Sequence, residues 1–292
     1  MRETPLGHHR PEGGDPTAPN TDPQSLVAGF PMYDFGPLAA ANDAVWQVIA
    51  ARLQAAGLEH VPSALDRTRT IDQLWQHPRL LLAQSCGYPL LTSLRGRVRL
   101  VATPRYRANG CIGAAHGSAL VVRADDDSPD LAALRGRRCA ANQPRSNTGM
   151  NLLRAAVAEL AGGRPFFRSV TWSGAHRMSL AMVAEGTADL AAIDAVTLAQ
   201  LGRVEPGLVA QIRILGWTAA TPGLPFIASG DTDDRTIELL RAALLEIASA
   251  PAHAALRDIL LLDGFEIVPE ADYHTVLALG RRAIELGYPD LC

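Results

Sequence analysis

Between Arg137 and Asp194 short apolar runs alternate with polar turns and amphipathic runs, and this alternation leaves few folds open to the chain. Arg138-Cys139-Ala140-Ala141 is followed by the polar stretch Asn142 to Gly149. Met150, Leu152, Leu153, Ala156, Val157 and Leu160 then recur at the spacing of one helix face. The order is strand, loop, helix, and it repeats. Phe167 to Thr171 reads as a strand, Trp172 to His176 as a turn, Met178 to Glu185 as a helix stopped by Gly186, and Ala188 to Asp194 as a further strand. Strands alternating with helices build an α/β fold whose ligand crevice lies beyond the carboxyl ends of the strands. Ser146, Asn147, Thr148, His176 and Asp194 each follow a predicted strand closely, so one crevice is expected to gather them.

The chemistry of that crevice follows from the turn. Ser146, Asn147 and Thr148 fall where the first turn of a helix leaves backbone N–H groups without partners and the helix dipole adds positive charge. Such a turn binds anions. Arg145 beside it offers a bidentate contact to phosphate, phosphonate or carboxylate. A histidine after a Gly-Ala turn at a helix start is as a rule a capping or packing residue, but His176 is expected beside the anion turn, which favours a ligand contact. Asp194 is weighed in the same way, while Asp189 reads as a turn residue bonded to its local backbone.

The loop Pro144-Arg-Ser-Asn-Thr-Gly149, then Ser173-Gly-Ala-His176, then Val183 to Asp194 resembles the phosphate/phosphonate-binding (PhnD-like) proteins of ABC importers, within the wider type 2 periplasmic-binding-protein superfamily. The resemblance runs from about Leu26 to the C-terminus and includes Leu262-Asp-Gly-Phe265 and Asp272-Tyr273. It implies two α/β lobes joined by a hinge, an oxyanion held by the serine/threonine turn and His176, an ABC permease as partner, and a periplasmic location. One departure is Asn147, where the middle of the turn often carries a small hydroxyl residue.

Composition excludes several other classes. All 27 basic residues are arginine, so a Schiff-base lysine, a pyridoxal-phosphate lysine and a Walker A loop are ruled out. A net charge of −3 argues against a nucleic-acid surface. The cysteines Cys86, Cys111, Cys139 and Cys292 include no C-x-x-C pair, Asp125 to Asp127 lacks the remaining positions of a calcium loop, and His8-His9 is too short for a metal tract. No metal or cofactor is expected. Cys86 and Cys111 both end predicted strands of one lobe, so a disulfide between them is weighed against two buried thiols.

Residues 1–24 are rich in Pro, Gly, Asp and Thr and read as a disordered tail. They lack the apolar run of roughly 7 to 15 residues that a secretory signal needs, which sets a cytoplasmic location beside the periplasmic one. No run approaches the roughly 18 apolar residues of a membrane span. From Ser25 the chain is expected to be ordered: a strand at Leu26 to Phe30, a helix from Leu38 to Ala56, a short helix at Ile71 to Gln76, a strand at Leu80 to Gln84, and strands at Val98 to Ala102 and Ser118 to Val122. Tyr33, Asp34, Gln84, Ser85 and Tyr88 then lie at carboxyl ends of strands, facing the crevice from the other side. For Tyr33, ligand contact and loop packing fit the sequence equally. After a strand at Ile212 to Trp217 and another at Phe226 to Ser229, helices are expected at Asp234 to Ser249, Ala252 to Leu262 and Tyr273 to Leu286. Crossings near 117 and 218 give residues 25–117 with 218–292 as one lobe and 118–217 as the other. Trp46 and Trp75 read as core; Trp172 and Trp217 fit either the crevice or the core.

Two functional classes follow. One is a solute receptor that captures a small oxyanion between two lobes for an ABC importer. The other is an enzyme on the same scaffold, of the menaquinone- or thiamine-pathway type that the superfamily includes, with His176 and Asp194 as acid and base; a cytosolic ligand sensor is a third reading. No G-x-S-x-G elbow, H-E-x-x-H or Cys-His arrangement supports the enzyme.

Overall fold

The computed structural model describes residues 25–292, and the tail expected at residues 1–24 lies outside the described residues. β1 (Val27–Gly29) leads into α1 (Pro37–Ala55), where Leu38, Val45, Trp46, Ile49 and Leu53 recur at helical spacing and are buried. Pro37 opens that helix, a position where the missing N–H costs nothing. α2 (Ile71–Trp75) begins with a capping box between Thr70 and Gln73. β2 (Leu80–Gln84), α3 (Gly87–Leu91) and β3 (Val98–Tyr106) complete the first pass. The short strands β4 (Cys111–Ile112) and β5 (Ala115–His116) lead to β6 (Ser118–Arg123).

β6 opens the second unit, which continues through β7 (Arg138–Ala141), α4 (Leu152–Ala161), β8 (Ser169–Trp172), α5 (His176–Ala184), β9 (Leu190–Asp194), α6 (Ala195–Val204), α7 (Pro206–Val209) and β10 (Ile212–Trp217). β11 (Thr221–Pro222) leads back to β12 (Phe226–Ser229), α8 (Asp234–Ser249), α9 (Ala254–Leu260), β13 (Leu262–Glu266) and α10 (Glu270–Glu285). Two five-stranded sheets result, in the orders β1-β2-β12-β3-β13 and β10-β6-β9-β7-β8. In the first, β1 and β2 are parallel and β12 runs antiparallel to β2 and β3. In the second, β7 runs parallel to β8 and β9, so three carboxyl ends share one edge. The small sheet β11-β5-β4 sits where the chain passes between the two. The molecule is a two-lobed α/β protein.

Several sequence expectations need correction. The helix expected at Ala252 to Leu262 ends at Leu260, because Leu261 takes a left-handed conformation (φ 55°), and the following residues pair with β3 as β13. α10 joins both cores. Tyr273 and Val276 pack with Trp75 and Leu90, whereas Ala283, Tyr288 and Leu291 pack with Met150, Leu153 and Phe166. The carbonyl of Cys292 accepts from the N–H groups of Phe166 and Phe167 at 2.9 and 3.0 Å, so the chain end packs with the second unit, as the end of α10 does.

Trp46 and Trp75 are buried, but Trp172 and Trp217 belong neither to the core nor to the lining of the main crevice: they are 44% and 40% exposed, and Trp217 lines a separate pocket with Leu198 and Ile214. Gly110, in a positive-φ turn, leaves space for the Trp217 ring, which a Cβ there would strike at 2.2 Å. Cys86 and Cys111 are both free. Cys86 caps α3 and takes the N–H of Asn147, while Cys111 belongs to the small linking sheet rather than to a strand end of the first sheet. Asp189 bonds across the sheet, not locally, to the backbone and guanidinium of Arg138.

Candidate functional site

A crevice of about 730 Å³ lies between the sheets, and its lining includes Tyr33, Asp34, Arg145, Ser146, Thr148, His176 and Asp194. The turn after β7 supplies its polar side. Ser146 caps the turn, its hydroxyl accepting from the N–H of Gly149 at 3.0 Å. The chain then makes one wide π-type turn, Asn147–Asn151, before α4 begins. Ser118 donates from its hydroxyl to the carbonyl of Thr148 at 2.6 Å, which leaves the Thr148 hydroxyl to meet His176 Nε2 at 3.1 Å. Gly149 makes this approach possible: a Cβ there would lie 1.9 Å from Asn142 Oδ1 and 3.0 Å from His176 Cε1.

His176 opens α5 at the end of the next strand. Burial lowers its pKa, outweighing the pull of the Asp194 carboxylate, so the ring is neutral at neutral pH. Its Nδ1 accepts the backbone N–H of Asp194 at 3.4 Å. Its Nε2 meets the Thr148 hydroxyl, and the tautomer decides which of the two donates. His176 and Thr148 thus present an imidazole and a hydroxyl side by side on the crevice wall. The arrangement is therefore suited to holding an oxyanion, since it offers a hydroxyl and an imidazole around one point.

Asp194 plays a different part. Its Oδ1 accepts from the Tyr33 hydroxyl at 3.0 Å and from the N–H of Thr197 at 2.9 Å, which caps α6. Its Oδ2 lies 2.9 Å from His116 Nε2, and among the described residues neither atom has another hydrogen-bond partner. Burial by itself would raise the carboxyl pKa; the opposing charge and hydrogen bond of His116, with His176 and the Thr197 N–H, hold it well below the ordinary carboxylate value. The same contacts push Tyr33 up, burial first and Asp194 second. One carboxylate thus ties together the first lobe, the linking sheet and the second lobe.

The remaining sequence candidates divide. Asp34 and Arg145 line the crevice but are engaged, Asp34 with Arg67 and Arg145 with Asp72. Asn147 is buried behind the turn, donating from its side chain to Thr221 Oγ1 at 2.9 Å. Gln84 donates to the Tyr106 hydroxyl and the Leu224 carbonyl inside the first lobe, and Tyr88 packs against that lobe's core; neither lines the crevice. Sequence reasoning missed His116, which ends the two-residue strand β5 that no apolar run announces; its only signal was a histidine within the Gly-rich connection from Gly110 to Gly117. It also missed Ile71 and Trp75 as crevice residues, because helical spacing marks them only as apolar.

Two lobes around a donor-lined crevice define a solute-binding protein. Residues 80–273 match the family described as ABC transporter, phosphonate, periplasmic substrate-binding protein, and the chain belongs to that family. Similar solved structures include a binding-protein component of an ABC phosphonate transporter (PA3383) from Pseudomonas aeruginosa, with a TM-score of 0.72 at 14% identity over 90% of this chain and 88% of that one. PhnD1 from Prochlorococcus marinus, in complex with methylphosphonate, gives 0.70 at 14% identity over 90% and 100%. XAC2383 from Xanthomonas citri, bound to ATP, gives 0.66 at 18% identity over 90% and 98%. At these identities the likeness is one of fold. No curated protein matches the sequence. No single helix among the described residues is long and apolar enough to cross a membrane.

Proposed function

We propose that this protein captures a small phosphorus oxyanion, a phosphonate, phosphate or phosphate ester, between its lobes and presents it to an ABC permease. Ser146, Thr148 and His176 hold the oxyanion, and Arg145 stands at the mouth. The observation that carries this reading is the pairing of Thr148 Oγ1 with His176 Nε2 at 3.1 Å on the crevice wall, at the start of a helix and beside a serine cap. Neutral donors at a helix N-terminus stabilise an anion without a buried cation. Release then requires only that the lobes part, because no opposite charge has to be pulled away.

The test is calorimetric titration of phosphate, phosphite, methylphosphonate and glycerol phosphate, with sulfonates and carboxylates as controls. Binding confined to the phosphorus compounds, and lost in Thr148→Ala and His176→Ala, is expected. A ligand at one hundred times its dissociation constant adds about 2.7 kcal/mol of stability, so thermal denaturation gives an independent readout. Unchanged affinity in both variants sinks the assignment.

A further inference from the structure

Every charged side chain that lines the crevice is already matched within the protein, and this limits what the far end of a ligand can be. Asp34 receives two hydrogen bonds from Arg67, at 2.6 and 3.0 Å, and a third from Asn42 Nδ2 at 3.0 Å. Arg177 forks onto Glu205 through two contacts of 2.6 Å. Asp72 and Arg145 hold one another at 2.5 Å. Asp194 is committed to Tyr33, Thr197 and His116. An ammonium group that took Asp34 would have to break a bidentate pair, and one that took Asp194 would leave the buried His116 without its partner, both costly; only the half-exposed Asp72–Arg145 pair is cheap to open.

The uncharged lining has a polar part, with Thr70, Asn142 and Gln143 beside Ser146 and Thr148, and an apolar part. Met32, Phe35, Ile71, Trp75 and Leu224 line it, and the one polar atom of Trp75 is spent on the Gln84 carbonyl at 3.0 Å. The space is also generous. A water molecule takes about 30 Å³, so a tetrahedral oxyanion fills on the order of 100 Å³, a small part of the 730 Å³ available. Apolar walls gain by covering apolar ligand surface, and each methylene buried is worth about fourfold in affinity.

We infer that the crevice selects phosphorus oxyanions that carry an uncharged alkyl or aryl tail over those that carry an amine, and that Ile71 and Trp75 set the selection. The inference rests on the oxyanion reading above and names its substrate class. The decisive pair is propylphosphonate and 2-aminoethylphosphonate, which match in size and differ in the terminal group. Calorimetry with phosphate, methylphosphonate, this pair, phenylphosphonate and ATP is expected to show propylphosphonate binding at least tenfold tighter than the amine, and phenylphosphonate tighter than methylphosphonate. The Ile71→Asp variant places a free carboxylate on the wall at the first turn of α2, where the helix dipole tolerates it. It should shift the ratio within the pair tenfold or more toward the amine. Trp75→Leu, which keeps an apolar side chain in the core, should reduce the preference for phenylphosphonate over methylphosphonate. Equal or tighter binding of the amine by the unmodified protein, tightest binding of ATP, or an unmoved ratio in a folded Ile71→Asp variant would each overturn the inference while leaving the oxyanion site standing. Failure of every compound, phosphate and methylphosphonate included, would instead overturn the oxyanion reading beneath it.

Discussion

The turns that follow β2 and β7 occupy equivalent places, each the exit of a buried strand toward a helix, yet only one presents donors to the crevice. After β2, the N–H of Ser85 goes to the carbonyl of Pro225 at 2.8 Å, the Ser85 hydroxyl goes to the carbonyl of Cys86, and Gln84 spends its amide on Leu224 and Tyr106. After β7, Thr148 turns its hydroxyl to His176 instead. The neighbouring strands account for the difference. β12 is antiparallel to β2, with Phe226 opposite Gln84, so it brings carbonyls of its own entry to the exit of β2 and consumes the donors there. β8 and β9 are parallel to β7, so they bring their own exits, with His176 and Asp194, to the same edge. A parallel neighbourhood gathers side chains; an antiparallel neighbour closes the turn with backbone.

The largest effect is expected where that rule has an exception. Asp194 stands on the parallel edge but is consumed by protein contacts. Asp194→Ala leaves the Tyr33 hydroxyl and His116 buried without their partner and should cost about 3–5 kcal/mol of stability, read from urea denaturation. A cost below about 1 kcal/mol, the range of an exposed pair, would mean that the carboxylate is spare and available to a ligand.

Next in size is the direct contrast of the two turns. Thr148→Ala removes a hydrogen bond to a charged ligand and should weaken phosphate binding by about 1.5–3 kcal/mol, with a smaller loss of stability, about 0.5–1.5 kcal/mol, through its contact with His176. Gln84→Ala should do the reverse, costing about 1–3 kcal/mol of stability through the unpaired Leu224 carbonyl and leaving affinity in place. Equal affinity losses in the two variants would erase the distinction between the turns.

A smaller effect separates the turns by pH. His176 is neutral when folded because burial lowers its pKa, whereas in the unfolded chain it protonates near its ordinary value of about 6.5. Below that pH the unfolded state holds the extra proton, so the His176 contribution is fully present above about pH 6.5 and declines as pH falls toward the lowered folded value. Stability should lose at most about 1.4 kcal/mol per pH unit from this group over that window. His176→Gln should flatten the slope between pH 6.5 and 5, and an unchanged slope would place the ring in solvent. Asp194 acts lower: its depressed pKa makes stability fall below about pH 4, and that acid limb should survive in His176→Gln.

Much of this was legible in the sequence, and the misses have physical causes. The strands at Leu80–Gln84, Arg138–Ala141, Ile212–Trp217 and Phe226–Ser229 and the helix at Asp234–Ser249 were marked by apolar runs or helical spacing between turn residues. The meeting of Thr148, His176 and Asp194 followed from three strand exits in order. What the sequence could not carry is partnership. Nothing local distinguishes the Gln84 amide, consumed by Leu224 and Tyr106, from a free one, or says that Asp194 faces His116 from 78 positions away. Asp189 and Asp194 look alike in sequence, and only the register of the sheet sends one to Arg138 and the other to Tyr33. Leu261 carries no glycine or proline to announce the break before β13.

The smallest expected effect tests whether the first lobe contributes charge to the donor turn. Asp72, on α2, holds Arg145, on the loop just before the turn, across the mouth of the crevice. Both side chains are about half exposed, 46% and 55%, so the pair is worth about 0–1 kcal/mol. While it stands, Asp72 holds one arm of the guanidinium. Asp72→Ala frees Arg145 to fork onto the oxyanion, and phosphate affinity should rise by up to about fivefold; the gain should shrink at high salt, where exposed charges are screened. Arg145→Ala, by the same reasoning, should leave phosphate affinity within about twofold of the unmodified protein, well inside the range of an exposed pair. A fall in affinity on removing Asp72 would give the pair the opposite role, a tie that holds the lobes together, and the first lobe would then contribute closure instead of silencing a charge.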